Sequence, residues 1–167
     1  MEITLEQLLL SRENRCARQQ ELITEYPDAT LVCLTVIMPG SVKRNFFSLI
    51  TAGAALQAMI ERFGGTIKYL STQDLPTGYE AYLVSSLECN EAKKIACEIE
   101  DTHQLGRLFD IDVILPSGRP LGRQEAGYGP RRCLLCEQEA RFCMRNHTHT
   151  GEQLHEKIKE MVNAYVQ

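Results

Sequence analysis

Asp110 and Asp112 have the spacing in this chain that most directly suggests chemistry. They lie in Phe109-Asp110-Ile111-Asp112-Val113-Ile114-Leu115, where apolar and acidic residues alternate before the run turns wholly apolar. Such alternation predicts a strand entering a core. Side chains on a strand alternate between faces, so both carboxylates point the same way. Two like charges side by side cost free energy unless a cation lies between them. Hard oxygen ligands of this kind suit Mg²⁺, which usually accompanies phosphates. Arg107, just upstream, has the fork geometry to hold a phosphate oxygen pair. The plainer reading is an edge strand that carries two acids for solubility.

A second cluster is Cys133-Leu134-Leu135-Cys136, followed by Cys143, His147 and His149. The spacing resembles a zinc site. Cys133, Cys136, Ala140 and Cys143 also fall on one face of a helix that could begin near Pro130. Free cysteine packs as a small hydrophobe. Leu134 and Leu135 stand where zinc knuckles usually carry turn residues, so the sequence favours packing over zinc.

The seven arginines from Arg107 to Arg145 are interrupted by no lysine. That bias suits planar recognition of phosphate or carboxylate, with Arg131 and Arg132 as candidates. Arg12, Arg15 and Arg18 recur every three residues near the start. Taken alone they read as a solvated helix face balanced by Glu13 and Glu21, rather than as an anion-facing ridge. Net charge is −4, which argues against a nucleic-acid partner. No apolar run is long enough to span a bilayer. Seven cysteines without an export signal point to reduced thiols and the cytoplasm.

The 167 residues are expected to form one domain, residues 1–167. Thr4 and Gln7 can box the start of a helix that runs to about Glu25. Thr30 to Met38 reads as a buried strand, and Asn45 caps a helix from Phe46 to about Phe63. Small residues Ala52, Gly53, Ala54, Ala55 and Ala58 would let that helix approach a sheet closely. Strands follow at Thr66 to Ser71 and Tyr79 to Leu87, then a helix capped by Asn90. The acidic strand spans roughly Leu108 to Leu115. Pro116-Ser117-Gly118 turns the chain, and Arg119 to Glu125 is expected to return as a hairpin strand. Pairing Leu115 with Gly118 would put Asp110 opposite Arg123 and Asp112 opposite Leu121. Thr150 caps a final amphipathic helix. The expected architecture is α+β: a mixed sheet of about five strands covered by helices.

Three segments together resemble one family: Leu9 to Gln19, His103 to Val113, and Pro130 to Cys136 with Cys143, Arg145 and His149. Their order and spacing are similar to the apo-citrate lyase phosphoribosyl-dephospho-CoA transferase family, also called citrate lyase holo-acyl-carrier-protein synthase. The resemblance implies transfer from 2′-(5″-triphosphoribosyl)-3′-dephospho-CoA to a serine of the acyl-carrier (gamma) subunit of citrate lyase, with release of pyrophosphate. It implies Asp110 and Asp112 as Mg²⁺ ligands and Arg107 at the triphosphate. Arg131, Arg132 and the stripe Arg12, Arg15 and Arg18 become candidate walls of the substrate site. Glu125 is a further candidate carboxylate, and His103 either a base or the residue that orients the Gly106 turn. A nucleotidyltransferase-like sheet is implied, although the Gly-Ser pair usual upstream of such an acidic triplet is absent. The alternatives are another nucleotidyltransferase using ATP, or a non-enzymatic interaction module built on zinc.

Overall fold

A computed structural model describes residues 1–167. In chain order the elements are α1 (Leu5–Glu25), β1 (Thr30–Val36), α2 (Phe46–Phe63), β2 (Ile67–Leu75), β3 (Gly78–Ser85), α3 (Cys89–Thr102), β4 (Phe109–Ile114), α4 (Ala140–Asn146) and α5 (Gly151–Val166). The strands form one sheet in the order β2-β3-β1-β4, antiparallel throughout.

Local chemistry explains most boundaries. Thr4 with Gln7, Asn45 with Ser48, and Thr150 with Gln153 make reciprocal capping boxes that satisfy orphan N–H groups of α1, α2 and α5. Gly64, at φ +49°, ends α2 in a conformation that side chains resist. The start of α3 departs from expectation: Glu88, not Asn90, is the N-cap, and no side chain caps it.

The sheet buries both faces. On one, Val32, Leu34, Ala81, Leu83, Ile111 and Val113 pack with Met59 and Phe63 of α2, Ala96 of α3 and Val162 of α5. Ala52, Ala54 and Ala55 are buried as their size suggests, whereas Gly53 is exposed. On the other face, Leu31, Cys33, Tyr82, Val84 and Ile114 pack against Leu22 of α1. Asp110 and Asp112 belong to this second face, because they pair with Thr35 and Cys33 of β1.

The expected fifth strand shrinks to a single bridge, Ile114 with Pro120. That register is one residue away from the expected one, so Arg123 does not face Asp110. The chain curls into a 3-10 turn at Gln124–Ala126. The Arg119 fork grips both oxygens of Glu125, while Gly122 N–H donates to the same carboxylate. These local contacts outcompete a second ladder.

A 3-10 turn, Gly106–Leu108, leads into β4. Gly106 is fixed by close approach: a Cβ there would lie 2.2 Å from the Glu100 carbonyl oxygen and 2.7 Å from that of Ile99. Backbone must move to admit it. Gly106→Ala is therefore expected to lower stability by about 3 kcal/mol, read as a lower urea midpoint at unchanged slope.

Candidate active site

The outer backbone edge of β4 is where the site is built. Ile111 N–H donates to Glu100 Oε1 of α3 at 2.9 Å, and the Ile111 carbonyl accepts from Lys93 Nζ at 3.5 Å. Leu121 N–H donates to the Val113 carbonyl at 2.8 Å. Lys93 and Glu100 are each only 4% exposed. They are one helical side of α3, seven residues apart, so their charged ends meet the strand side by side. Arg123 completes the clamp, donating to Glu100 and Asp101 at 2.6 Å each and to the Gly129 carbonyl at 2.9 Å.

Asp110 and Asp112 open into a cavity of about 1000 Å³ that wraps this edge, large enough for a sizeable ligand. Arg107, Lys93, Arg131 and Arg132 share its lining. Asp110 accepts from Thr35 Oγ1 at 3.2 Å and lies 4.0 Å from Arg131. Asp112 has no hydrogen-bond partner in the protein. Burial first, then the negative charge of Asp110, pushes its carboxyl up to about 6. The two carboxylates thus stand side by side on the lining of the cleft, with Arg131 beside one and Lys93 near the other.

The arginines divide by what they already hold. Arg131 is committed to backbone: it donates to the carbonyls of Phe109 at 2.6 Å and of Gly106 and Arg107 at 3.1 Å. It fixes the turn that carries Arg107. The Arg107 guanidinium itself makes no hydrogen bond or ion pair. Burial, then repulsion from Arg131, makes its proton less firmly held than in an ordinary arginine. Arg132 donates to the Glu137 carbonyl at 2.6 Å and keeps part of its fork exposed.

The stripe on α1 is not used as one unit. Arg15 pairs with Glu80 at 2.9 Å, a carboxylate only 3% exposed that also accepts from Tyr82 Oη at 2.6 Å. This half-buried pair holds Arg15 over the sheet, near enough to Asp112 to favour its charged form. Arg18 turns to Glu21 and to Tyr69 of β2, at the opposite edge of the sheet. Arg12 is exposed, without a protein partner, and close enough to Lys43 to repel it.

Two sequence candidates take structural parts. Glu125 is locked by Arg119, which together with the Gly122 N–H draws its carboxyl down to about 2. His103 accepts from Leu105 N–H at 3.0 Å through Nδ1, and its ring lies 4.8 Å from that of Phe109. It orients the Gly106 turn, and burial lowers its pKa. Lys93, Glu100 and Glu80 were not singled out from sequence. For the first two a signal existed: charged residues on the α3 face that also carries Ala92, Ala96 and Ile99.

The cysteine segment is not the helix that the spacing suggested. Residues 130–139 are non-helical, and α4 begins only at Ala140. Cys133, Cys136, Cys143 and His149 instead converge, their ligand atoms all within 4.8 Å of one another, in a cluster that could hold a metal ion.

Comparison with known proteins agrees with the resemblance read from sequence. The family model described as apo-citrate lyase phosphoribosyl-dephospho-CoA transferase matches residues 3–165. A protein of that name from Shigella flexneri serotype 5b is 35% identical over 167 residues, covering 96% of this chain and 89% of the relative. One from Escherichia coli O9:H4 is 35% identical over 166 residues with the same coverage. Protein CitXG of Haemophilus influenzae is also 35% identical, over 98% of this chain, but the chain spans only 36% of that relative's length. The chain therefore belongs to the apo-citrate lyase phosphoribosyl-dephospho-CoA transferase family.

Proposed function

We propose that this protein, as one transferase domain, moves the phosphoribosyl-dephospho-CoA group from 2′-(5″-triphosphoribosyl)-3′-dephospho-CoA to a serine of the citrate lyase acyl-carrier subunit. Family membership supports the reaction. The observation that carries the chemistry is the Asp110–Asp112 pair, on one sheet face at a cleft shared with a partner-free arginine. In this nucleotidyl transfer the serine oxygen bonds to the innermost phosphorus of the triphosphate. The bond to the next phosphate breaks, its electron pair leaves with pyrophosphate, and the serine proton passes to solvent or a base. Such chemistry asks mainly for positioning and charge neutralisation.

The donor set fits Mg²⁺: two carboxylates, one without any protein hydrogen bond, facing a cavity that admits phosphates. Asp110 and Asp112 would hold the ion, and it would supply charge neutralisation together with activation of the hydroxyl. Thr35 steadies Asp110 for this task. Arg107 grips the phosphates that leave, and Arg131 keeps Arg107 in place from behind. Lys93, buried beside Asp112, adds a fixed positive charge. Arg132, and on the α1 side Arg12 and Arg15, contact the remaining anionic parts of the donor.

No helix is long and apolar enough to cross a membrane. We place the reaction in the cytoplasm, a setting supported by seven cysteines of which none is bridged.

The test is mass spectrometry of the apo carrier subunit after incubation with this protein, the triphosphoribosyl donor and Mg²⁺. The expected result is a single mass gain equal to the prosthetic group on the acceptor serine. No gain, or an equal gain of a nucleotidyl group when ATP replaces the donor, would overturn the assignment.

A further inference from the structure

The segment from Pro130 to Thr150 folds tightly without a hydrophobic core of its own. Its only buried residues are Cys133, at 9% exposure, and Cys143, at 6%. Phe142 and Met144, its large apolar residues on α4, are 51% and 74% exposed. Yet the backbone is closely specified. Cys133 N–H donates to the Gln138 carbonyl at 2.7 Å, and Ala140 N–H to the Arg131 carbonyl at 2.8 Å, closing a knuckle around Cys136. His147 takes a left-handed conformation, φ +47°, that a side chain ordinarily avoids. That reversal returns the chain so that His149 Nε2 comes within 3.4 Å of Cys136 Sγ. Apart from Leu134, which leans on the main core, little apolar burial holds the segment, and such order calls for a cross-link at the centre.

What converges there is sulfur and nitrogen. Cys136 Sγ lies 3.4 Å from Cys143 Sγ, far beyond a disulfide bond, and Leu135 N–H points at Cys133 Sγ from 3.4 Å. Simple packing would spread thiols among apolar neighbours. Here three thiols and an imidazole nitrogen lie within 4.8 Å of one another, two of the pairs at 3.4 Å. Metal–sulfur bonds of about 2.3 Å and metal–nitrogen bonds of about 2.0 Å in a tetrahedron need ligand separations of roughly 3.5–3.8 Å, which small side-chain adjustments reach from the spacing here. Thiolates with one imidazole select zinc over hard cations.

We propose that Cys133, Cys136, Cys143 and His149 bind one Zn²⁺ as a closed structural site. All four positions come from the chain, so no coordination position remains for substrate. The ion ties the knuckle to α4. The knuckle also carries Arg131, whose guanidinium holds the carbonyls of Gly106, Arg107 and Phe109. The zinc site therefore stiffens the wall on which the free Arg107 is mounted. The metal assignment stands apart from the identity of the transferred group.

The experiment is metal analysis of the full chain, purified under reducing conditions without chelator, followed by exchange into Co²⁺. One zinc per chain is expected, with the intense visible absorption of tetrahedral thiolate–Co²⁺ after exchange. Cys136→Ala should lose the metal, whereas His149→Cys, which restores a fourth ligand, should keep it. Folded wild-type protein with substoichiometric zinc and no thiolate–Co²⁺ spectrum would overturn the site, whatever the variants do. The structural role is read by limited proteolysis. Chelation should expose residues 130–149 to cleavage while the sheet stays protected; unchanged protection after zinc removal would overturn that role.

Discussion

Asp110→Asn and Asp112→Asn should each lower the rate of carrier modification by on the order of 10²-fold or more, since each removes a charge that acts on the transition state. The readout is the initial rate of mass gain on the carrier serine at saturating Mg²⁺. Near wild-type rates in either variant would remove the pair from the mechanism. The same substitution at Asp112 should have the opposite effect on stability. In metal-free protein its carboxyl is raised from 3.8 to about 6, by burial first and Asp110 second. The folded state then binds this proton more tightly than the unfolded chain does. Its stabilising contribution is complete below about pH 4 and is lost as pH rises to about 6. Urea unfolding without added Mg²⁺ should show wild type weakening across that window by about 3 kcal/mol. Asp112→Asn should flatten the slope and leave the neutral-pH protein more stable. A residue whose loss strengthens the fold and stops the reaction is one retained for function.

Arg107→Ala should lower kcat/KM for the triphosphoribosyl donor by about 10²-fold, the worth of one or two charge-assisted hydrogen bonds to phosphate. Because this guanidinium has no protein partner and is repelled by Arg131, its removal should cost the fold little. Arg107→Lys should recover only part of the loss, since a point charge cannot reproduce the fork. Equal kcat/KM in wild type and Arg107→Ala would exclude phosphate recognition here. Arg131→Ala makes the contrast. It should reduce stability as well as activity, because Arg131 organises three backbone carbonyls.

The elements governed by neighbours in sequence were legible from sequence. The Thr4–Gln7 and Asn45 caps, the β-branched run of β1 and the acidic alternation of β4 each depend on a few adjacent residues. So did the shared face of Asp110 and Asp112. What escaped depended on distant partners. The return of Arg119–Glu125 failed because the Arg119–Glu125 clamp and the one-residue shift at Pro120 compete with pairing. Glu80 joined the picture only once β3 was known to lie beside β1, with Ala81 paired to Leu34 and Asp110 to Thr35. Lys93 and Glu100 gain meaning only from the strand edge they meet. The cysteines fitted a packed helix face on spacing, and the sequence favoured that reading; Cys133-to-Cys136 as a turn required the Gln138 and Arg131 backbone contacts that no local pattern announces.

The occupied rungs along β4 bear on how copies of this protein avoid one another. A border strand ordinarily offers unpaired amides and carbonyls on which a second chain can grow. At Ile111 both groups are taken by α3, and at Val113 the carbonyl is taken by Leu121. The other border, β2, breaks its ladder between Ile67 and Tyr69, where Lys68 is placed. An irregularity bearing a lysine discourages recruitment there. With the β4 border closed by other means, Asp110 and Asp112 are not required as deterrents to sheet extension there, and their charge is left free for the cleft.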